Sequence, residues 1–290
     1  MRFTQFFRVG AGSGIAVGPG RGNIPFVNAA PERDSRDRFS DRVEDYVRYR
    51  PSYPLALIDF LARAAGLGPT ATVADIGSGT GIFTALLLDT GARVFGIEPN
   101  AAMREAAQLA LGGRPNFASL GGSAEATGLP GRVVTLATCA QAFHWFDVPR
   151  SRREFMRILN PNGMAALVWN TAGRTDTPFA AGYERVKSGL ATDFHQVRHE
   201  AIGKAERCDA FFGAGCWERR TFPNAQHLDL PGLRGRLLSS SYAPKEGQPG
   251  HAEMIAALDE LFRRTASGGL VTMEYETEVY LGRFGLAPAA

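Results

Sequence analysis

From Arg38 the chain alternates between two hydrophobic periods. After Pro54, Leu55, Ile58, Leu61, Ala62 and Ala65 recur at helical spacing until Gly66 and Gly68, which predicts a helix with one buried face. Thr72 to Ile76 is a short apolar strand running into a glycine loop, and Ile82 to Leu88 is an apolar helix that must be largely buried. Arg93 to Ile97 repeats the strand, Ala101 to Leu111 the helix, and Asn116 to Leu120 is a weaker third strand. Val133 to Ala140 reads as a central strand. Asp147 and Pro149 then open a helix that turns Phe155, Ile158 and Leu159 inward, and Asn160-Pro161-Asn162-Gly163 is expected to break it before a fifth strand, Met164 to Trp169. Strand and helix alternate as in a parallel doubly wound sheet.

Beyond Asn170 the periodicity weakens, with helical fragments at Tyr183 to Leu190 and Val197 to Cys208 and a strand-like stretch at Cys216 to Phe222. Pattern returns as a helix carrying Met254, Ile255, Leu258, Leu261 and Phe262. It ends in a strict alternation of Val271, Met273, Tyr275, Thr277, Val279 and Leu281, whose other face carries Glu274, Glu276 and Glu278 and is expected to be solvated. The expected organisation is a flexible leader over residues 1–36, a core over 37–170, a lid inserted over 171–250, and a helix and strand at 251–290 that complete the core.

Composition narrows the class of protein. A chain of 290 residues with 44% apolar content can bury the core of one α/β domain with a lid. The net charge of +3 is spread without a long basic run, and the lid holds only Lys187, Lys204 and Lys245, so no nucleic-acid partner is expected. Cys139, Cys208 and Cys216 show no C-x-x-C spacing, which argues against a disulfide framework and for a reducing cytoplasm. No run of about eighteen apolar residues predicts a membrane span, and Phe6 to Val17, interrupted by Arg8 and rich in glycine, is a poor signal core. A homodimer stays open.

The chemistry concentrates in Asp75-Ile76-Gly77-Ser78-Gly79-Thr80-Gly81, at the carboxyl end of the first strand, where an open α/β sheet has its ligand crevice. Asp75 would repel a dinucleotide pyrophosphate but attract the ammonium of S-adenosylmethionine, and Ile82 stands where a dinucleotide fingerprint has its third glycine. Glu98 closes the second strand, 21 residues after Gly77, at the distance of a carboxylate that accepts from ribose hydroxyls. Adenosine occurs in both cofactors, so Glu98 does not separate them.

The stretches VADIGSGTG, FGIEPNAAM, GSAEATGLP and CAQAFHWFD resemble the class I S-adenosylmethionine-dependent methyltransferases, and more narrowly the small-molecule branch that is similar to trans-aconitate methyltransferases and other type 11 enzymes. The resemblance is strong over Arg38 to Asn170 and weaker through Ser239 to Pro244 and the final strand. It implies a Rossmann-like sheet of seven strands, mostly parallel with the last antiparallel, a lid on the acceptor side, and methyl transfer to a small molecule with S-adenosylhomocysteine as product. By motif it implies that Asp75, Gly77, Ser78 and Gly79 hold the amino-acid end of the cofactor, Glu98 and Pro99 the ribose side, and Met103, Ala124 and Glu125 the adenine. Gln141 would lie beside the methionine moiety, His144 and Trp145 would face the transferred methyl, and Tyr46 to Pro54, with Tyr49 and Arg50, would close over the cofactor. Thr135 departs from the family, which usually has an acid there, so the Leu129 to Thr135 connection is expected to be reshaped.

Two readings of several residues remain open. His144 could serve as general base if the acceptor must lose a proton, or could simply pack at the strand end. Trp145 and Phe143 could line an acceptor pocket or belong to the core. Asn170, Arg174, Tyr183 and His195 are weaker acceptor-site candidates. His195 and His199 share a helical face without an H-E-x-x-H pattern, so no metal is expected. The rival functions are a catalytically silent accessory protein of the same fold and a nicotinamide-dependent oxidoreductase.

Overall fold

The structure, a computed structural model, describes residues 49–190, 204–240 and 243–285. In chain order the elements are α1 (Leu55–Ala65), β1 (Thr72–Ile76), α2 (Ile82–Asp89), β2 (Arg93–Ile97), α3 (Ala101–Leu111), β3 (Phe117–Leu120), β4 (Val134–Ala140), a 3-10 turn (Phe143–Trp145), α4 (Val148–Ile158) and β5 (Leu159–Ala172). There follow α5 (Pro178–Leu190), α6 (Lys204–Phe212), β6 (Trp217–Leu228), α7 (Leu230–Leu238), α8 (His251–Thr265) and β7 (Val271–Gly282).

The strands form one sheet in the order β3-β2-β1-β4-β5-β7-β6. Strands β1 to β5 are parallel, and β7 runs antiparallel to both β5 and β6. The expected Rossmann-like sheet with an antiparallel last strand is therefore present. The chain leaves β1 toward β2 and β3 and returns to β4 on the other side of β1, which makes the carboxyl ends of β1 and β4 the topological switch point.

Alternation along the strands divides the core between the two faces. Val73, Val94, Leu136 and Val168 meet Leu57 and Leu61 of α1 and Phe83 and Leu87 of α2. Ala74, Ile97, Ala137 and Leu167 meet Phe155 and Ile158 of α4 and Phe211 and Phe212 of α6. A third cluster joins Phe179 and Tyr183 of α5, Leu233 and Leu237 of α7, and Met254 and Leu258 of α8.

Four local expectations change. Leu55 is 69% exposed, and the buried face of α1 is Leu57, Ile58 and Leu61; at roughly 100° per residue, Leu55 points about 200° away from Leu57. The Asn160–Gly163 break does not end pairing: Val134 pairs with Leu159 and Leu136 with Met164, so the extra residues are absorbed as an irregularity in a strand that starts at Leu159. Within the segment expected to form the lid, Trp217–Leu228 is the edge strand of the sheet, paired along its length with β7. Its Pro223 is tolerated because an edge strand has one unpaired side. Finally, Glu274 is exposed on β7 but Glu278 is buried, where it accepts from Lys204 Nζ at 2.7 Å and Arg219 Nη2 at 2.8 Å.

Residues 1–36, the start of the fragment at Val197, His195 and His199 lie outside the described residues. Among the described residues no helix is long and apolar enough to cross a membrane.

Candidate active site at the ends of β1 and β4

The loop after β1 requires glycine for two separate reasons. Gly77, Gly79 and Gly81 have φ of 72°, 56° and 89°, a region costly for residues with a Cβ. A Cβ on Gly77 would also lie 2.5 Å from Ala142 Cβ, which locks it by packing, whereas one on Gly81 would meet the movable end of Leu111, Cδ1 at 2.7 Å. At Gly79 the nearest atom to such a Cβ is Met103 Sδ at 3.8 Å, an ordinary van der Waals contact, so only its φ calls for glycine.

The amides of this loop turn inward. Gly77 N and Ser78 N donate to Ile97 O at 2.8 and 3.1 Å, and Gly79 N donates to Glu98 Oε2 at 2.9 Å. Beside them Asp75 is 1% exposed, accepting from Thr84 Oγ1 at 2.6 Å and Thr138 Oγ1 at 2.8 Å. Burial pushes its carboxyl up to about 6 against those hydroxyls, and Glu98 adds to the rise. A site with inward amides and a buried carboxylate favours a cationic group over a phosphate.

Glu98 is buried and braces the loop, accepting from Asn100 N at 2.9 Å as well as from Gly79 N. Burial raises its pKa. Each oxygen has accepted one N–H and retains capacity for another donor. Asn100 caps α3 by accepting from Met103 N, which seats the buried Met103 next to the loop. Pro99 O accepts from Arg104 Nη1. Ala124 is buried in the core, and Glu125 accepts from Asp147 N at 3.0 Å, tying its loop to the start of α4.

Above the loop lies a cleft of about 160 Å³ lined by Asp75 and Gly77 to Thr80, by Gln141 at the end of β4, and by Arg50, Pro51 and Tyr53. Asn170, Arg236 and Tyr275 close its far side. Gln141 has φ of 59°, a strained conformation for a side-chain-bearing residue, and its Nε2 donates to Asn170 O at 3.0 Å. Asn170 Oδ1 accepts from Thr277 Oγ1 at 2.6 Å and Asn224 Nδ2 at 3.2 Å.

The same network holds the amino-terminal strap. Ser52 O accepts from Asn170 Nδ2 at 3.1 Å and Asn224 Nδ2 at 2.8 Å, Tyr49 O from Gln226 Nε2 at 3.1 Å, and Ser239 O from Arg50 Nη2 at 2.9 Å. Sequence reasoning missed Asn224, Gln226, Arg236, Tyr275 and Thr277, which come from β6, α7 and β7. Thr80 lies within the glycine motif and Thr84 just after it, whereas Thr138 comes from β4 and carries no local signal of its part.

His144 and Trp145 do not line this cleft. His144 borders a separate small cavity with Phe143, Trp169, Lys204 and Arg207, and burial with the charges of Arg207 and Lys204 lowers its pKa to about 4. Trp145 is 42% exposed and tilts against His144 at 4.8 Å. Phe143 is core, edge-on to Phe211 at 4.9 Å. Thr135, the departure from the family pattern, takes over the start of the ladder: its Oγ1 accepts from Thr72 N at 3.0 Å and donates to Thr72 O at 2.9 Å. Arg174 is exposed and paired with Asp176, while Tyr183 is packed into the third cluster.

Residues 74–167 match the family model described as a methyltransferase domain. An uncharacterized methyltransferase of Mycobacterium tuberculosis is 39% identical over 139 residues, 48% of this chain and 54% of that protein, so the chain spans about half the length of that relative. An uncharacterized methyltransferase-like protein of Schizosaccharomyces pombe is 34% identical over 248 residues, 83% of this chain and 93% of its own length. Among solved structures, one described as a type II methyltransferase from Anaeromyxobacter dehalogenans superposes with a TM-score of 0.58 at 23% identity, covering 81% of this chain and 98% of that one. With its sheet order and glycine loop, the chain belongs to the methyltransferase family and has the class I fold.

Proposed function

We propose that the protein binds S-adenosylmethionine in this cleft and methylates a small-molecule acceptor by in-line displacement, with S-adenosylhomocysteine as the product. The observation that carries this is Asp75, a carboxylate buried at the cleft floor under a loop whose amides point away. Thr80 supports the fit: it is buried, lines the cleft, and its Oγ1 has no hydrogen-bond partner among the described residues. Asp75, Thr80 and Gly77 to Gly79 would hold the amino-acid end, Glu98 and Met103 the ribose and adenine, and Arg50 to Tyr53 would cover them.

S-adenosylmethionine supplies a methyl group already activated on a sulfonium. The protein's task is alignment and exclusion of water, and alignment alone is worth about 7–11 kcal/mol. The strained Gln141, fixed through Asn170, fits an orienting role. His144 is assigned no part as a base, since it lies off the cleft and is held neutral.

Isothermal titration with S-adenosylmethionine, S-adenosylhomocysteine and a nicotinamide dinucleotide tests the reading. Micromolar binding of the first two, weakened about tenfold or more by Asp75→Ala and Glu98→Ala, is expected. Dinucleotide binding alone would favour the oxidoreductase. No binding by any of the three would favour the silent accessory protein.

A further inference from the structure

Next to the cofactor cleft is a second cavity of about 180 Å³, and the two share Asn170, Arg236 and Tyr275 as a common wall. We infer that this cavity holds the acceptor, and that the acceptor is a compact molecule of about one ring with one apolar face and a single O–H or N–H nucleophile, not a polyanion. The inference rests on the cofactor reading of the adjoining cleft.

Size, lining and charge each support it. An apolar cavity of roughly 150 Å³ accommodates a benzene, so this chamber fits one ring with a substituent. Its apolar side is Met273 and the stacked pair Phe179 and Tyr183, 5.8 Å apart at 27°. Two of the cations on its wall already face carboxylates, Arg174 that of Asp176 and Lys187 that of Glu184, and Glu274 offsets Arg236 in the overall charge of the lining. With Asp176 beside the wall, the three cations that line it among the described residues are balanced by three carboxylates, which makes the chamber a poor host for a polyanion.

Three polar groups, Asn170, Arg236 and Tyr275, sit at the junction with the cleft, while Thr175, Thr177 and Thr272 line the chamber away from it. Tyr275 donates to Gln226 Oε1 at 2.9 Å and accepts from Arg236 Nε at 3.2 Å, which fixes its hydroxyl. Its oxygen keeps one lone pair to accept from the acceptor's O–H or N–H, and Tyr275 lines both cavities. The chamber is built mostly by residues 172–187 and 236, beyond the Arg38 to Asn170 stretch that carries the strong likeness to trans-aconitate methyltransferases, and by 272–275 of the final strand, where that likeness is weak. The likeness therefore bears mainly on the cofactor half.

The test is calorimetric titration of phenol, aniline and trans-aconitate into the full chain saturated with S-adenosylhomocysteine, as wild type, Tyr275→Phe, Ala180→Phe and the milder Ala180→Leu. Phenol or aniline is expected to bind, to weaken about fivefold in Tyr275→Phe, and to lose binding in the Ala180 variants while their S-adenosylhomocysteine affinity stays within about twofold. Retained affinity in either Ala180 variant shows that it is folded. Tighter binding of trans-aconitate than of either ring, ring binding unchanged by filling at Ala180, or binding by none of the three probes overturns the inference. Failure of wild type to take S-adenosylhomocysteine falls on the cofactor reading instead.

Discussion

Asp75 concentrates the electrostatics of the site in one side chain. Its folded pKa of about 6 lies above its ordinary value of 3.8, so the ligand-free protein gains stability as pH falls through 6 and holds an energetically costly charge above it. A bound ammonium would reverse that preference. Cofactor affinity is therefore expected to decline as pH drops below about 6, with proton release on binding visible by calorimetry in buffers of different ionisation enthalpy, and Asp75→Asn should bind weakly with no such dependence. Glu154 behaves oppositely. Arg157 and the Thr127 hydroxyl and amide hold its carboxyl down at about 2 despite burial, so its stabilisation is complete above 4.5 and lost as pH falls from there toward 2. Glu154→Gln should cost about 1–3 kcal/mol at neutral pH and flatten the acid limb of a stability-against-pH curve measured by urea denaturation.

Among the elements, the strap Tyr49 to Tyr53 and α7 depend on each other. Gly235 lies within α7, where replacing glycine with alanine ordinarily adds up to about 1 kcal/mol of stability. Here a Cβ would lie 2.1 Å from the Tyr49 ring, so Gly235→Ala should push the strap off its seat, weaken cofactor binding, and raise hydrogen exchange in the strap without unfolding the sheet. Asn170→Ala removes the donor to Ser52 O and the acceptor for Thr277 and Asn224 at once. It is expected to destabilise more than Asn224→Ala, which leaves Asn170 still bonded to the strap, and thermal unfolding of the two variants would rank them.

At the scale of the whole molecule, one sheet carries a core on each face, and α5, α7 and α8 pack a third cluster together. Residues lining the cleft come from β1 and the loop after it, α2, β4, β5, α7, β7 and the strap, so a ligand in the cleft would tie distant parts of the chain to one folded state. S-adenosylhomocysteine at about 100 times its Kd should add about 2.7 kcal/mol and raise the melting temperature by several degrees. Asp75→Ala should lose most of that rise at the same ligand concentration. Leu258→Ala, in the third cluster, should cost about 2–5 kcal/mol of stability while leaving the glycine loop intact.

Much of this molecule was legible in local pattern. The period-two strands, the amphipathic α1, α4 and α8, the glycine loop and its carboxylate all express contacts within a few residues, and the doubly wound sheet follows from them, while the antiparallel last strand was an implication of the family resemblance. Edge strand β6 was legible only in part, because its side chains are mostly exposed and it contains Pro223; β7 recruits it through backbone hydrogen bonds that side-chain pattern does not encode. Glu278 reads as a solvated acid until α6 brings Lys204 against it, and His144, open between a base and a packing role, borders a small cavity with Phe143, Lys204 and Arg207 apart from the cleft. The strap is held by partners 118, 172 and 177 residues away. Hydrophobic periodicity is a local signal, so the sequence by itself determined which segments bury a face and where the glycine loop falls. Which polar groups meet over that loop depends on how the strands are ordered in the sheet, and only the tertiary structure decided it.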